Sequence, residues 1–201
     1  IIVPFRADMP DIVMQALIKK SGLDIKNDFK LQYVATPVDA MQMLILRRAD
    51  HALLAEPAIS IALRKTGSFP VKLIAPDLYR SINLQEEWGR LYKIEAKIPQ
   101  AGLAIIGDTN GKEELISKVL AEYDKSLAWY KNNKEEASKL VVKTLPMLEE
   151  KGLADSIEHV RFENISAIKS KKDLEFFFDI LMQNDSKLIG GKLPNEDFYY
   201  K

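Results

Sequence analysis

Cysteine is absent from this chain. That excludes disulfides, thiol nucleophiles, iron–sulfur ligation and thiolate zinc sites, and it fits an exported bacterial protein. No run of about 18 apolar residues occurs, so no membrane-spanning helix is expected. No signal peptide is visible, and the first residue is Ile1 rather than Met, which reads as a processed or truncated start. An excess of charge is lacking too. Lys plus Arg number 29 and Asp plus Glu number 29, giving a formal charge of zero. Nothing electrostatic therefore favours nucleic acid or an anionic membrane surface as partner. Histidine is limited to His51 and His159, far apart in sequence, and both are expected to be structural. HExxH, GxSxG and the P-loop are all missing. Gly190-Gly191 is too short to cradle phosphate, and no carboxylate spacing marks a catalytic pair. The expectation is a chain with no catalytic residue, no metal and no cofactor.

What is present is an apolar content of 47 %, enough for a real core. Ile1–Phe5 is a short β-prone run. Asp8 then offers an N-cap, Pro10 sits where its missing N–H costs nothing, and Asp11 suits the positive end of a helix dipole. Ile12, Val13, Ala16 and Leu17 share one helical face, and Gly22 is a suitable stop. The unit recurs. Residues 29–35 read as a strand, Thr36-Pro37 as a helix start, and Val38, Met41, Leu44 and Ile45 as an apolar stripe. Residues 51–54 read as a strand, Glu56-Pro57 as a sharp junction, 58–65 as a helix, and 71–75 as a further strand. This alternation predicts an α/β chain with a parallel-rich sheet flanked by helices.

Beyond Pro76 the pattern shifts. Residues 83–91 suggest a short helix carrying Trp88, and 101–106 one more strand. Asn110 with Glu113 resembles a capping box. Leu115, Ile116, Val119, Leu120, Tyr123, Leu127 and Tyr130 form a long stripe at helical spacing, with Trp129 beside it as an expected core residue. A helix around Ala137–Val141 ends near Pro146, and Leu174, Phe177, Phe178 and Leu181 mark the last one. The C-terminal portion is thus expected to be helical.

In open α/β sheets the ligand crevice lies beyond the carboxyl ends of the strands. Three segments converge there: Arg6–Asp11, Ala35–Asp39 and Ala55–Ala58. Helix-start N–H groups near Met9 are expected to hold an anionic group, with Arg6 adding a bidentate contact. Asp8, Met9, Thr36, Glu56 and Pro57 complete the candidate ligand site, and Trp88, expected to be half-buried, is a candidate wall. The plainer alternative keeps Asp8 as a cap, Arg6 as a surface residue and Glu56 as a helix cap.

FRADMPDIVMQALIKKSGLD, YVATPVDAMQMLILRRADHALLAEPA and EEWGRLY…IPQAGLAIIGD resemble the NitT/TauT branch of periplasmic substrate-binding proteins. Ala49-Asp50 followed by Glu56-Pro57 carries the likeness best, although Arg48-Ala49 stands where a glycine is common. The resemblance implies a type II periplasmic-binding-protein-like fold, a small-molecule ligand, an ABC permease as partner, and a periplasmic or extracytoplasmic location. It further implies that residues 1–75 build a second lobe, and that 76–201 return to a first lobe whose opening elements are absent. Uncovered apolar surface on the C-terminal helices would then favour self-association. Two other classes share the architecture. One is small-molecule enzymes, of which the thiamine-pyrimidine synthases need cysteines this chain lacks, whereas the menaquinone-route dehydratases need few signature residues. The other is a ligand-sensing domain of a signalling protein.

Overall fold

The computed structural model describes residues 1–200. Its centre is β1 (Ile2–Pro4), a strand buried along its whole length. β1 pairs in parallel with β2 (Gln32–Val34), Pro4 lying opposite Val34. On its other side Ile2 bridges in parallel to Ala52, its N–H donating to the His51 carbonyl at 2.9 Å while the Leu53 N–H donates to the Ile2 carbonyl at 2.8 Å. Three parallel segments therefore run side by side with β1 in the middle. A central strand buried on both faces reads as a continuous apolar run, as Ile2-Val3-Pro4 does.

Helix α1 (Met9–Lys20) follows β1, with Asp8 at its N-cap and Pro at its first turn. It stops as its sequence suggests. Gly22 adopts φ +79°, and the Leu23 N–H turns back onto the Ile18 carbonyl at 3.2 Å. Helix α2 (Pro37–Ile45) starts on a complete capping box between Thr36 and Asp39. Helix α3 (Ala58–Gly67) follows the Ala52 bridge. These elements put the three strand-to-helix loops at one edge of the sheet.

The remaining chain is helical: α4 (Leu84–Tyr92), α5 (Glu113–Asn132), α6 (Lys134–Thr144), α7 (Glu150–Ser156) and α8 (Ala167–Asn184). One core cluster joins α1, α4 and α8 through Val13, Leu17, Trp88, Phe177 and Ile180. A second joins α2 and α3 through Met41, Ile61 and Ala62. Both α4 and α8 pack on α1, and α7 packs on α3.

The α3–α7 contact depends on one missing side chain. A Cβ on Gly152 would lie 2.6 Å from Ile61 Cγ1 and 2.9 Å from the Ile61 Cα. The Gly152 N–H also donates to the Glu149 carboxylate at 2.6 Å, so the helix start cannot slide away. Gly152→Ala is expected to destabilise the fold by about 1–3 kcal/mol through overpacking. Urea denaturation should show a lower midpoint at unchanged slope.

The sheet is smaller than the sequence suggests: it has two strands, and residues 51–54, expected as a strand, contribute only an isolated bridge at Ala52. Residues 71–75 form a short 3-10 turn (Val71–Leu73) instead of a strand, with Leu73 and Ile74 exposed. The turn closes on local bonds, as the N–H groups of Ile74 and Ala75 both donate to the Val71 carbonyl. Residues 101–106 belong to no strand, because no neighbour among the described residues pairs with them, and they are exposed. Two further expectations fail in α5. Its N-cap is Lys112, without a side-chain cap, so Asn110 and Glu113 form no capping box. Trp129 is 42 % exposed and not core, and Leu115, Val119 and Tyr123 on the same helix are exposed as well. Ile116 is the buried residue of that helix. No helix among the described residues is long and apolar enough to cross a membrane.

Candidate functional site: one edge of a small parallel sheet

Strand register assembles the candidate site. Pro4 is level with Val34, and Ile2 with Ala52. The loops that follow, Phe5–Asp8, Ala35–Thr36 and Ala55–Pro57, therefore leave the same edge in the same direction. Arg6, Asp8 and Thr36 are exposed there, and Met9, Glu56 and Pro57 are half-buried. Six of the seven residues expected at the site thus share this edge.

The first loop is tightly specified. Phe5 and Ala7 adopt positive φ values of 56° and 62°, which are costly for residues with a Cβ. Hydrogen bonds hold them. The Phe5 N–H donates to the Val34 carbonyl at 3.1 Å, and the Asp8 N–H to the Phe5 carbonyl at 3.2 Å. The Ala7 N–H donates to Asp11 Oδ2 at 2.8 Å. Asp11 is 1 % exposed, and its other oxygen accepts from Gln15 Nε2 at 2.8 Å and from the Tyr33 hydroxyl at 3.2 Å. The Arg6 guanidinium lies 5.1 Å from the centre of the Tyr33 ring, a cation–π arrangement. Burial pushes the Tyr33 phenol above its ordinary value, and the adjacent Asp11 charge adds to the rise.

The helix-start donors are more occupied than the sequence suggests. The Met9 N–H donates to Asp8 Oδ1 at 2.8 Å, the Asp39 N–H to Thr36 Oγ1 at 3.2 Å, and the Ser60 N–H to Glu56 Oε2 at 3.0 Å. Asp8 and Thr36 are therefore N-caps, and Glu56, one residue before the Pro57 N-cap, takes up a donor in the first turn of α3. Glu56 also accepts from Arg80 Nη2 at 2.5 Å, and the same nitrogen donates to Ser60 Oγ at 2.8 Å. Arg80 was missed because it arrives from a connecting segment with no periodic pattern. The alternation of β2 offered the only signal for Tyr33.

Trp88 lies elsewhere. It is 1 % exposed within the α1–α4–α8 core, not half-buried at a pocket. The sequence misled because Asn83–Glu87 is polar, whereas that segment is simply the first turn and outer face of α4.

A neighbouring polar cleft of about 300 Å3 lies between Ser60, Arg80, Asp155 and His159. Its cations are met by acids: Arg64 pairs with Asp155 at 2.8 Å, Lys134 with Glu158, and Arg80 with Glu56. It acts as a tie between α3, α6 and α7.

No family model matches the sequence. No curated protein matches it either. The fold is similar to that of an ABC transporter from Parabacteroides distasonis solved as a crystal structure at 1.75 Å resolution, with a TM-score of 0.72 and 21 % sequence identity. The likeness covers 100 % of this chain and 65 % of that one. At such identity it establishes a shared fold, and this chain spans about 65 % of the length of the protein it matches.

Proposed function

We propose that this chain is the solute-binding component of an ABC importer of the NitT/TauT type. It takes a small molecule at the loop edge that carries Arg6, Asp8, Met9, Thr36, Glu56 and Pro57, and passes it to an ABC permease outside the cytoplasm. Residues 1–75 correspond to the second lobe of such a protein, and the following chain returns toward the first. Exposed apolar residues on α5 favour self-association of this chain. The observation that carries the reading is the fold shared with an ABC transporter protein, combined with three parallel-strand loops at one edge.

The ion pair with Arg80 narrows the ligand. Glu56 is already neutralised, so it does not call for a cationic solute. Arg6 carries no ion pair among the described residues and favours an anionic or polar heterocyclic one. Thermal unfolding with nitrate, sulfonates, pyrimidines and small dicarboxylates tests this. A ligand at one hundred times its Kd stabilises by about 2.7 kcal/mol. The shift should shrink in Arg6→Ala and in Glu56→Ala. Equal shifts in both variants and the parent would remove the side-chain basis of this site.

A further inference from the structure

A second cleft lies beside the loop edge, between the start of α1, the α1–β2 connection and β2, with a volume of about 490 Å3. That size falls in the range of small-molecule pockets, about 300–1,000 Å3. Its walls divide chemically. Ile25, Phe29 and Leu31 supply an apolar side, while Arg6, Lys26 and Tyr33 supply two cations and an aromatic ring. Among the described residues neither Arg6 nor Lys26 has a carboxylate within salt-bridge reach. The carboxylate lining the cleft, Asp11, is held away from both cations by three donors: the Ala7 N–H, the Gln15 amide and the Tyr33 hydroxyl. Asp24, next to the cleft, turns its Oδ1 to the N–H groups of Lys26 and Asn27. The cleft thus holds two cations outside any ion pair among the described residues, Arg6 on the Tyr33 ring and Lys26 within the field of Asp24, next to an apolar wall with an aromatic edge.

We infer that this cleft binds an aromatic carboxylate, its ring against Phe29, Leu31 and Ile25 and its charge on Lys26 and Arg6. Tyr33 serves as a fixed platform, since Asp11 holds its hydroxyl and Arg6 covers its face. The inference stands apart from the transport reading, because the cleft is built from the α1–β2 connection and not from the α2 and α3 loops. Arg6 touches both regions, so the test leaves it unchanged.

Titrate the full chain with naphthoate, following its fluorescence, beside the neutral naphthylmethanol as control. The expected result is saturable binding of the acid, at least tenfold tighter than the alcohol. Lys26→Ala should weaken it about tenfold, the scale of one charge-assisted bond. Phe29→Ala should weaken acid and alcohol alike. Both residues lie in an irregular connection, Lys26 exposed and Phe29 half-buried, so the fold should survive either change. Thr36→Ala and Glu56→Ala should leave naphthoate binding unchanged, which separates this cleft from the loop edge. Non-saturable binding, equal affinity for the alcohol, or no loss in Lys26→Ala would overturn the assignment. A loss confined to Thr36→Ala or Glu56→Ala would place the acid at the loop edge and overturn it too.

Discussion

Replacing Trp88 by alanine is expected to lower stability by about 3–5 kcal/mol, the cost of a large cavity in a packed core. The indole is 1 % exposed and is surrounded by aromatic rings: Tyr92 at 4.7 Å, Phe176 at 5.6 Å and Phe177 at 6.0 Å between centroids. It joins α4 to both α1 and α8, so no neighbour can collapse into the space without moving a helix. Against a typical stability of about 5–15 kcal/mol the loss is large enough to leave part of the population unfolded. Trp88→Phe keeps most of the packing and should cost much less. Urea denaturation of the parent and both variants measures this. An alanine effect below about 1 kcal/mol would mean that the indole is not in the core described.

The second large effect is expected at Asp11. Asp11→Ala leaves the Ala7 N–H, the Gln15 amide and the Tyr33 hydroxyl without their acceptor. Part-buried donors stripped of a charged partner cost about 1 kcal/mol or somewhat more, and here the backbone at Ala7 is also held in a left-handed conformation. The same change removes two causes of the raised Tyr33 phenol, the Asp11 charge and the hydrogen bond to Asp11. Burial remains and the Asp11 charge does not, so the phenol should titrate lower than in the parent. The sign for stability follows. A phenol whose folded pKa is raised above its ordinary 10.0 favours the fold below that pH, and the contribution fades as pH climbs through the folded value. Alkaline titration followed by phenolate absorbance should therefore show one tyrosine ionising earlier in Asp11→Ala, with less loss of stability on the alkaline side attributable to it. An unchanged titration would show that Asp11 and Tyr33 are not coupled.

Local chemistry explains which parts of the fold were legible. Asp8 with Pro10, Thr36 with Pro37, and Gly22 are written within four residues of the features they fix, and each falls where expected. Strand existence depends on partners distant in sequence. Residues 101–106 have apolar, β-prone character, yet strand structure requires a neighbour to pair with, and none is there among the described residues. Residues 71–75 fail for a similar reason, and local carbonyl bonds to Val71 take over. Helical stripes reveal a face and not what covers it, hence the exposed Trp129 and Tyr123. Helix α7 was unreadable because it is seven residues long, too short for a periodic signal, and its Gly152 acts through contact with Ile61.

The candidate site was legible as loops and less so as chemistry. Position after a strand marked Arg6, Asp8, Met9, Thr36, Glu56 and Pro57, and parallel register brings their loops to one edge. Their hydrogen bonds were not readable, since capping and ligand contact draw on the same side chains. Glu56 shows the difficulty most clearly: its partner Arg80 is 24 residues away. Trp88 shows the converse error, where a polar sequence neighbourhood concealed a core position.

A small solute is proposed to bind at the edge formed by the loops after β1, β2 and the Ala52 segment. Amide hydrogen exchange measures this directly, with and without the panel solute that gives the largest rise in melting temperature. Protection should concentrate in peptides covering residues 5–9, 35–39 and 54–60. Absence of any protecting solute in the panel, or protection that spares all three loops, would contradict it.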